Sequence, residues 1–270
     1  MYAFLRRPAW VLSHVLVAAL VVAMVGLGFW QRSRWIEERH EKERLDALAT
    51  ATPEPIDDVL PPGADHGDLD AEALRHRRVE LRGTYDPDGE VVVLNRSQGG
   101  APGGWLLTPL VRPDGDVVPV VRGWIPYDMA QGEPPFADAR PPEGEVQVVG
   151  SLQPTQRRGS FGPSDPEDGR LTRLNRVDLE RLDEQYHRDL APMWVLLDAQ
   201  EPEQSGTLPA LVELERGDPT QNFSYMVQWW IFAAIAAGGY PLVLRAVARS
   251  RARGGAEPDT APEGDLVTEA

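Results

Sequence analysis

The chain has no cysteine. That absence excludes disulfides, thiolate nucleophiles and Cys-ligated metals, including the Cys-based chemistry of copper chaperones. Lysine is almost as scarce, with Lys42 the only one. The other basic residues are arginine, a usage that points to the codon bias of a G+C-rich bacterium rather than to function. Clustered cations are missing too, and the formal net charge is -15 at pH 7. Phosphate backbones are bound by grouped Lys and Arg, so no nucleic-acid partner is expected. There is no phosphate-binding loop, no His-Glu-x-x-His and no nucleophile elbow. His66 and His76 flank a loop rich in Pro and Gly at no metal-like spacing, and His40 and His187 stand among charges. Asp and Glu are numerous but form no recognisable acid–base pair. The expectation is a protein that is not an enzyme and holds no metal, its surplus acid being solvated surface.

What is present is concentrated in two apolar runs. Ala9 to Trp30 has Ser13 and His14 as its only clearly polar members, and about 20 apolar residues span a bilayer as helix. The run ends in Phe29-Trp30-Gln31-Arg32, an interface belt rather than the small-residue site of a cleaved signal. Met226 to Leu244 has Gln228 as its only strongly polar member. Tyr225, Trp229 and Trp230 sit at its start, and Arg245, Arg249, Arg251 and Arg253 follow its end, as at a cytoplasmic face. Two spans put both termini on one side. The boundaries expected are a cytoplasmic N-terminus at 1–8, transmembrane helices at 9–30 and 223–245, an extracytoplasmic domain at 31–222 and a disordered acidic cytoplasmic tail at 246–270. The location is the plasma membrane, with the lipid bilayer as one partner.

Gln31 to Leu48 lacks Gly and Pro and carries charges three and four apart, so the first helix is expected to continue beyond the membrane. Residues 50–72 read as a linker. Beyond it the pattern turns to strands: Arg78–Arg82, Glu90–Leu94, Trp105–Val111, Val117–Trp124 and Glu145–Leu152. The turn Arg112-Pro113-Asp114-Gly115-Asp116 marks a hairpin. Leu179–Arg188 reads as a short helix capped by Asp178, and Met193–Leu197 and Leu208–Leu214 as closing strands. The fold class expected is an α+β membrane protein. Two transmembrane helices flank an antiparallel β-sheet or barrel-like extracytoplasmic domain with one or two short helices.

Three separated clusters share a pattern. The first is Gly28-Phe29-Trp30-Gln31 with Arg34. The second is Asn95-Arg96, Thr108-Pro109-Leu110 and Arg122-Gly123-Trp124-Ile125-Pro126. The third is Asn222-Phe223-Ser224-Tyr225-Met226-Val227-Gln228-Trp229. In this order between two terminal spans, and with Phe161-Gly162-Pro163 and Asn175-Arg176-Val177-Asp178 in the middle, the chain resembles the Surf-one (Surfeit-locus-one) family of cytochrome c oxidase assembly proteins, as a bacterial, actinobacterial-type member. The resemblance implies a membrane-bound assembly factor for a haem-copper oxidase. Such a factor acts when haem a reaches the catalytic subunit, or stabilises that intermediate. It also implies the catalytic subunit and other oxidase assembly factors as partners, and haem a as a transient ligand. The residues the resemblance offers for a haem or partner contact are Trp30, Gln31, Asn222, Tyr225, Gln228 and Trp229. At Asn222 the chain departs from the family, whose third cluster usually carries a His there. An amide is a poor axial ligand beside an imidazole.

The residues themselves leave other readings open. Trp30, Trp35, Tyr225, Trp229 and Trp230 also suit plain interface anchors. Gln228 wants a hydrogen bond, from Gln31, Trp30 or a partner. Arg122 suits a carboxylate of its own domain, or an acidic group at the membrane surface. Pro109 and Pro126 suit strand ends, and Gly123 a close backbone approach. His14 is the lone intramembrane histidine, a residue type that is often functional. The rival functions are an anchored extracytoplasmic interaction module of another envelope complex, and an extracytoplasmic enzyme.

Overall fold

The computed structural model describes residues 6–61, 63–64, 69–159, 162–166, 168–186, 189–213 and 218–254. Residues 1–5, the tail from 255, Phe161, Leu214, His66, His187 and Arg188 lie outside them. The chain forms two compact units, Met1–Lys42 with Gly217–Ala270, and Glu43–Arg216.

The two apolar runs lie in two long helices, α1 (Pro8–Thr50) and α6 (Thr220–Gly254). Both are long and apolar enough to cross a membrane. As expected, α1 runs unbroken past the apolar stretch, because nothing from Gln31 to Leu48 breaks a helix. Arg34 pairs with Glu37 at 3.3 Å and Glu38 at 3.9 Å along it. At the start of α6, Asp218 accepts a hydrogen bond from the Thr220 amide at 2.9 Å. The Thr220 hydroxyl and amide together hold that carboxyl below its ordinary range.

The β unit contains eight strands: β1 (Glu54–Pro55), β2 (Arg78–Tyr85), β3 (Val91–Gln98), β4 (Ala101–Val111), β5 (Val117–Pro126), β6 (Glu145–Pro154), β7 (Arg173–Leu174) and β8 (Met193–Glu201). Their order is β1-β2-β6-β8-β5-β4-β3-β7, and β2 also touches β4 at Thr84↔Val111 and Tyr85↔Leu110. The β4–β5 hairpin forms where the sequence places it, with Arg112–Asp116 as its turn. The sheet is mixed rather than antiparallel, since β1–β2, β3–β7 and β5–β8 run parallel. The chain between β5 and β8 carries β6 and β7, long enough for the crossover that parallel strands require.

Two other expectations are corrected. Residues 208–213 form no strand and meet β5 only through the bridge Trp124↔Ala210, with Pro209 lacking a donor for a ladder. The 50–72 stretch carries β1, α2 (Ile56–Val59) and the first half of α3 (Ala71–Leu74). Ile56, Val59 and Leu60 are buried core residues, and their i, i+3, i+4 spacing gives one helical turn an apolar face. The helix α4 (Tyr127–Ala130) follows β5 directly. The predicted helix after Asp178 is α5 (Leu179–Tyr186), and Asp178 accepts from the Arg181 amide at 3.3 Å. Leu179 and Leu182 pack with Val91, Val93 and Trp194.

Candidate functional site

Two irregularities in the sheet position the second sequence cluster. Across β4 and β5, Leu106 faces Gly123 and Leu107 faces Val121, so Arg122 is an extra residue. A bulge of this kind re-aims a side chain, and Arg122 is 1% exposed. Its Nε donates to Thr108 Oγ1 at 2.8 Å, and its Nη1 to Gln204 Oε1 at 3.1 Å. Its Nη2 donates to Glu90 Oε2 at 2.7 Å and to the Ala139 carbonyl at 2.6 Å. Thr108 Oγ1 donates in turn to Glu90 Oε2 at 2.7 Å. The guanidinium also lies 5.7 Å from the Tyr85 ring centre. Glu90 Oε1 is buried without a hydrogen-bond partner among the described residues. Arg122 thus pairs with a carboxylate of its own unit, the first of the two roles open in the sequence. Burial pushes the Tyr85 hydroxyl well above the ordinary tyrosine value, with the Arg122 charge opposing. That hydroxyl donates to Gln200 Oε1 at 2.9 Å.

On β3 the residues between Val93 and Arg96 outnumber those opposite them on β4, and Asn95 takes a left-handed φ of 59° there. The irregularity sets Arg96 over the Trp105 ring at 4.5 Å, with Nη2 donating to Gln156 Oε1 at 2.9 Å. Burial first, then the Arg176 charge, draws that guanidinium below its ordinary value. Trp124 Nε1 donates to the Arg96 carbonyl at 3.1 Å. Gly123 has the close approach its sequence suggests, since a methyl group there would overlap the Ala210 carbonyl. Pro126 ends β5, but Pro109 lies inside β4 directly opposite Pro119. The Pro109 carbonyl accepts from the Asp86 amide at 2.9 Å, so the residue's backbone polar side is turned away from β5 and its missing N–H breaks no bond to Pro119. The whole cluster is therefore an internal brace of the β unit.

The first and third clusters meet along α1 and α6, which run antiparallel through a common seam. Gly28 is the notch in that seam: a methyl group on it would overlap the indole Nε1 and Cδ1 of Trp230. Phe29 and Trp230 meet edge to face at 5.7 Å, and Trp35 and Phe223 lie 5.5 Å apart. Gln31 is buried in the seam, and its Oε1 has no hydrogen-bond partner among the described residues. Asn222 donates through Nδ2 to Glu38 Oε2. At the other end of the seam, the Tyr240 hydroxyl bonds to His14 Nδ1 at 2.6 Å and to Ser13 Oγ at 2.8 Å.

The remaining residues of these clusters do not converge. Trp30 and Tyr225 are exposed, at 57% and 43%. Gln228 is exposed as well, and Trp229 is half-buried against Phe232 of its own helix. Arg34 spends its charge on Glu37 and Glu38. Sequence reasoning missed Glu90, Glu38, Trp230 as a partner of Gly28, and Tyr240. Glu38 was legible as the residue ten past Gly28 and seven past Gln31, on the same helical stripe. Glu90 was legible as the one charge heading an apolar strand.

The β unit also holds a cleft of about 580 Å³, lined by Leu45, Leu48, His76, Arg78, Ser151 and Asp198 among others. Arg78 and Asp198 pair within it at 3.4 Å. Gln153 Nε2 meets His76 Nδ1 at 3.1 Å and Ser151 Oγ at 3.3 Å beside it. No group of three or more metal-binding side chains gathers among the described residues.

Comparison with known proteins adds the following. The profile of the SURF1 family matches residues 18–234. An uncharacterised SURF1-like protein of Mycobacterium tuberculosis is 27% identical over 267 residues, covering 96% of this chain and 93% of its own. One from Mycobacterium bovis is similar to the same extent. Surfeit locus protein 1 of the fish Takifugu rubripes is 29% identical over 184 residues, covering 62% of this chain and 67% of its own.

Proposed function

The chain belongs to the SURF1 family, known generally for cytochrome oxidase assembly, and from that premise we propose that it is a membrane-bound assembly factor that holds the oxidase catalytic subunit while haem a is inserted. The carrying observation is the extent of the family match, which takes in both long helices and the sheet between them. In this reading α1 and α6 cross the plasma membrane, both termini are cytoplasmic, and residues 43–216 face the exterior with other assembly factors as neighbours. The Arg residues after Leu244 support that orientation. The protein works as a scaffold and not as a catalyst.

A resident haem a does not fit the seam residues. The outer half of the seam is filled by Trp230 against Gly28, and the Asn222 amide is engaged by Glu38. Tyr225 and Gln228 turn away from it. No step of the function is therefore routed through a haem held by this chain.

The test is gene deletion followed by reduced-minus-oxidised spectra of the membranes. Loss of the oxidase haem a band, restored by the intact gene, is the expected result. An unchanged band would refute the oxidase reading and favour an anchored module of another envelope complex. Purification from cells making haem a should yield protein without a haem spectrum, and stoichiometric haem would overturn the scaffold-only reading.

A further inference from the structure

We propose that Arg96 and Arg176 form a seat for one carboxylate group supplied from outside the chain. The inference goes beyond the oxidase reading and stands without it. It starts from a charge that nothing in the β unit answers. The brace described above uses the Arg96 carbonyl, which accepts from Trp124, and one Nη2 hydrogen, which goes to the neutral Gln156 Oε1. The guanidinium itself lies over the half-buried Trp105 ring at 4.5 Å. Its Nε is buried without an acceptor, and among the described residues its Nη1 has none and no carboxylate pairs with it. The cation beside it is a second arginine. Gln156 Oε1 accepts from Arg96 Nη2 at 2.9 Å and from the Val177 amide at 3.1 Å, so Arg96 shares an acceptor with the residue that follows Arg176. The Arg176 charge is near enough to draw the Arg96 guanidinium down, second only to burial.

Like charges held together in a half-buried place cost free energy until an anion joins them. A lysine would escape by releasing its proton, but a guanidinium does not. The stack on Trp105 fixes the fork and leaves hydrogens on it to give, the arrangement that grips a carboxylate through two parallel bonds. The charge of the anion follows from the neighbours. Arg176 donates through Nη2 to the Pro163 carbonyl at 2.7 Å, and its Nη1 lies 3.8 Å from Asp165 Oδ2. The Asp165 side chain is 9% exposed, and its Oδ1 accepts from the Asn175 amide at 2.8 Å and from Asn175 Nδ2 at 2.6 Å. Two guanidiniums and one carboxylate leave a single positive charge. That matches one further carboxylate and falls short of a dianionic phosphate, which Asp165 would repel. Stretches far apart in the chain, at Arg96, Pro163 and Asn175–Arg176, are thus tied together around a cation that the ties themselves leave unspent.

The test is thermal unfolding of the full chain in detergent, at one pH and one ionic strength, with chloride, acetate or phosphate as the added anion. Acetate should raise the midpoint over chloride by about 2–4 °C and should do so more than phosphate. General exclusion of salts from protein surfaces gives the opposite order, with phosphate the better stabiliser. Arg96→Met, which keeps an unbranched side chain on Trp105, should lose the acetate response. Arg157→Met, taken from the exposed Arg157–Glu180 pair, should keep it. Asp165→Asn retains an acceptor for Asn175 and removes the local negative charge, so phosphate should now overtake acetate. That reversal is readable even where Arg96→Met fails to fold. A blocked Ala-Glu-Ala peptide at the same concentration identifies the source. A larger shift from the peptide than from acetate assigns the acidic side chain of a protein partner, and a smaller one a small free acid. Equal midpoints in all three salts, an acetate response that survives Arg96→Met, or an Asp165→Asn chain that still prefers acetate would each overturn the proposal.

Discussion

Replacing Arg122 by Met removes four hydrogen bonds and leaves the Glu90 carboxylate buried with no cation beside it. Breaking one side of a buried pair costs about 3–5 kcal/mol. Arg122→Met should therefore lower the urea midpoint of the full chain in detergent far more than any single surface change. The triple change Arg122→Met, Glu90→Leu and Thr108→Val should recover part of that loss, because it removes the stranded carboxylate and hydroxyl and leaves only the Ala139 carbonyl and the Gln204 amide without their donor. Tyr85 gives a second outcome at this scale. Its hydroxyl is held above the ordinary value near 10 by burial. The folded state therefore keeps a proton that the unfolded chain gives up. That stability is complete below about pH 10 and is lost as pH climbs from there towards the higher folded value. Tyr85→Phe should flatten the alkaline limb of a stability-versus-pH curve, at a neutral-pH cost of about 1 kcal/mol for the lost bond to Gln200.

Between helices, the Gly28 notch decides whether α1 and α6 close. Gly28→Ala gains roughly 1 kcal/mol of helix propensity but forces the Trp230 indole aside, an overpacking cost of about 1–3 kcal/mol. Closure should weaken with Trp230 present and not in a Trp230→Ala background, as read by disulfide trapping between cysteines placed at Trp35 and Phe223. Among strands, the extra residue at Arg122 fixes which way Gly123–Pro126 face. Deleting one residue at Val121 or Arg122 straightens β5 and turns Ile125, now fully buried, to the opposite side. Such a deletion should leave little folded protein by near-ultraviolet circular dichroism. Most elements were legible in the sequence. Alternation marked β2 and β6, a β-branched run marked β3, and turn residues between two apolar runs marked the β4–β5 hairpin. The bulges were not legible, because nothing in local pattern says that Arg122 or Asn95 is one residue too many until the facing strand is known. The same limit hid the seam: Gly28 and Gln31 were singled out, but Trp230 and Glu38 become their counterparts only when a distant helix is brought alongside.

For the whole molecule, the proposed orientation predicts that protease added outside sealed, right-side-out vesicles reaches residues 43–216 and not the C-terminal tail. Cleavage of the tail alone would reverse the topology. The mixed sheet escaped the sequence for the same reason as the seam, since the β5–β8 pairing joins segments far apart in the chain. The two units also differ in continuity. One is an unbroken stretch, Glu43–Arg216, while the other joins both ends of the chain. On the ribosome this imposes a schedule. At roughly 5–20 residues per second, α1 waits on the order of 10–35 s as a lone span while the β unit emerges and collapses on its own. Only then does α6 arrive to meet the exposed notch at Gly28 and the polar pair Ser13 and His14. A translation stop after Glu201 and before Thr220 would thus release a finished sheet tethered to an orphan helix.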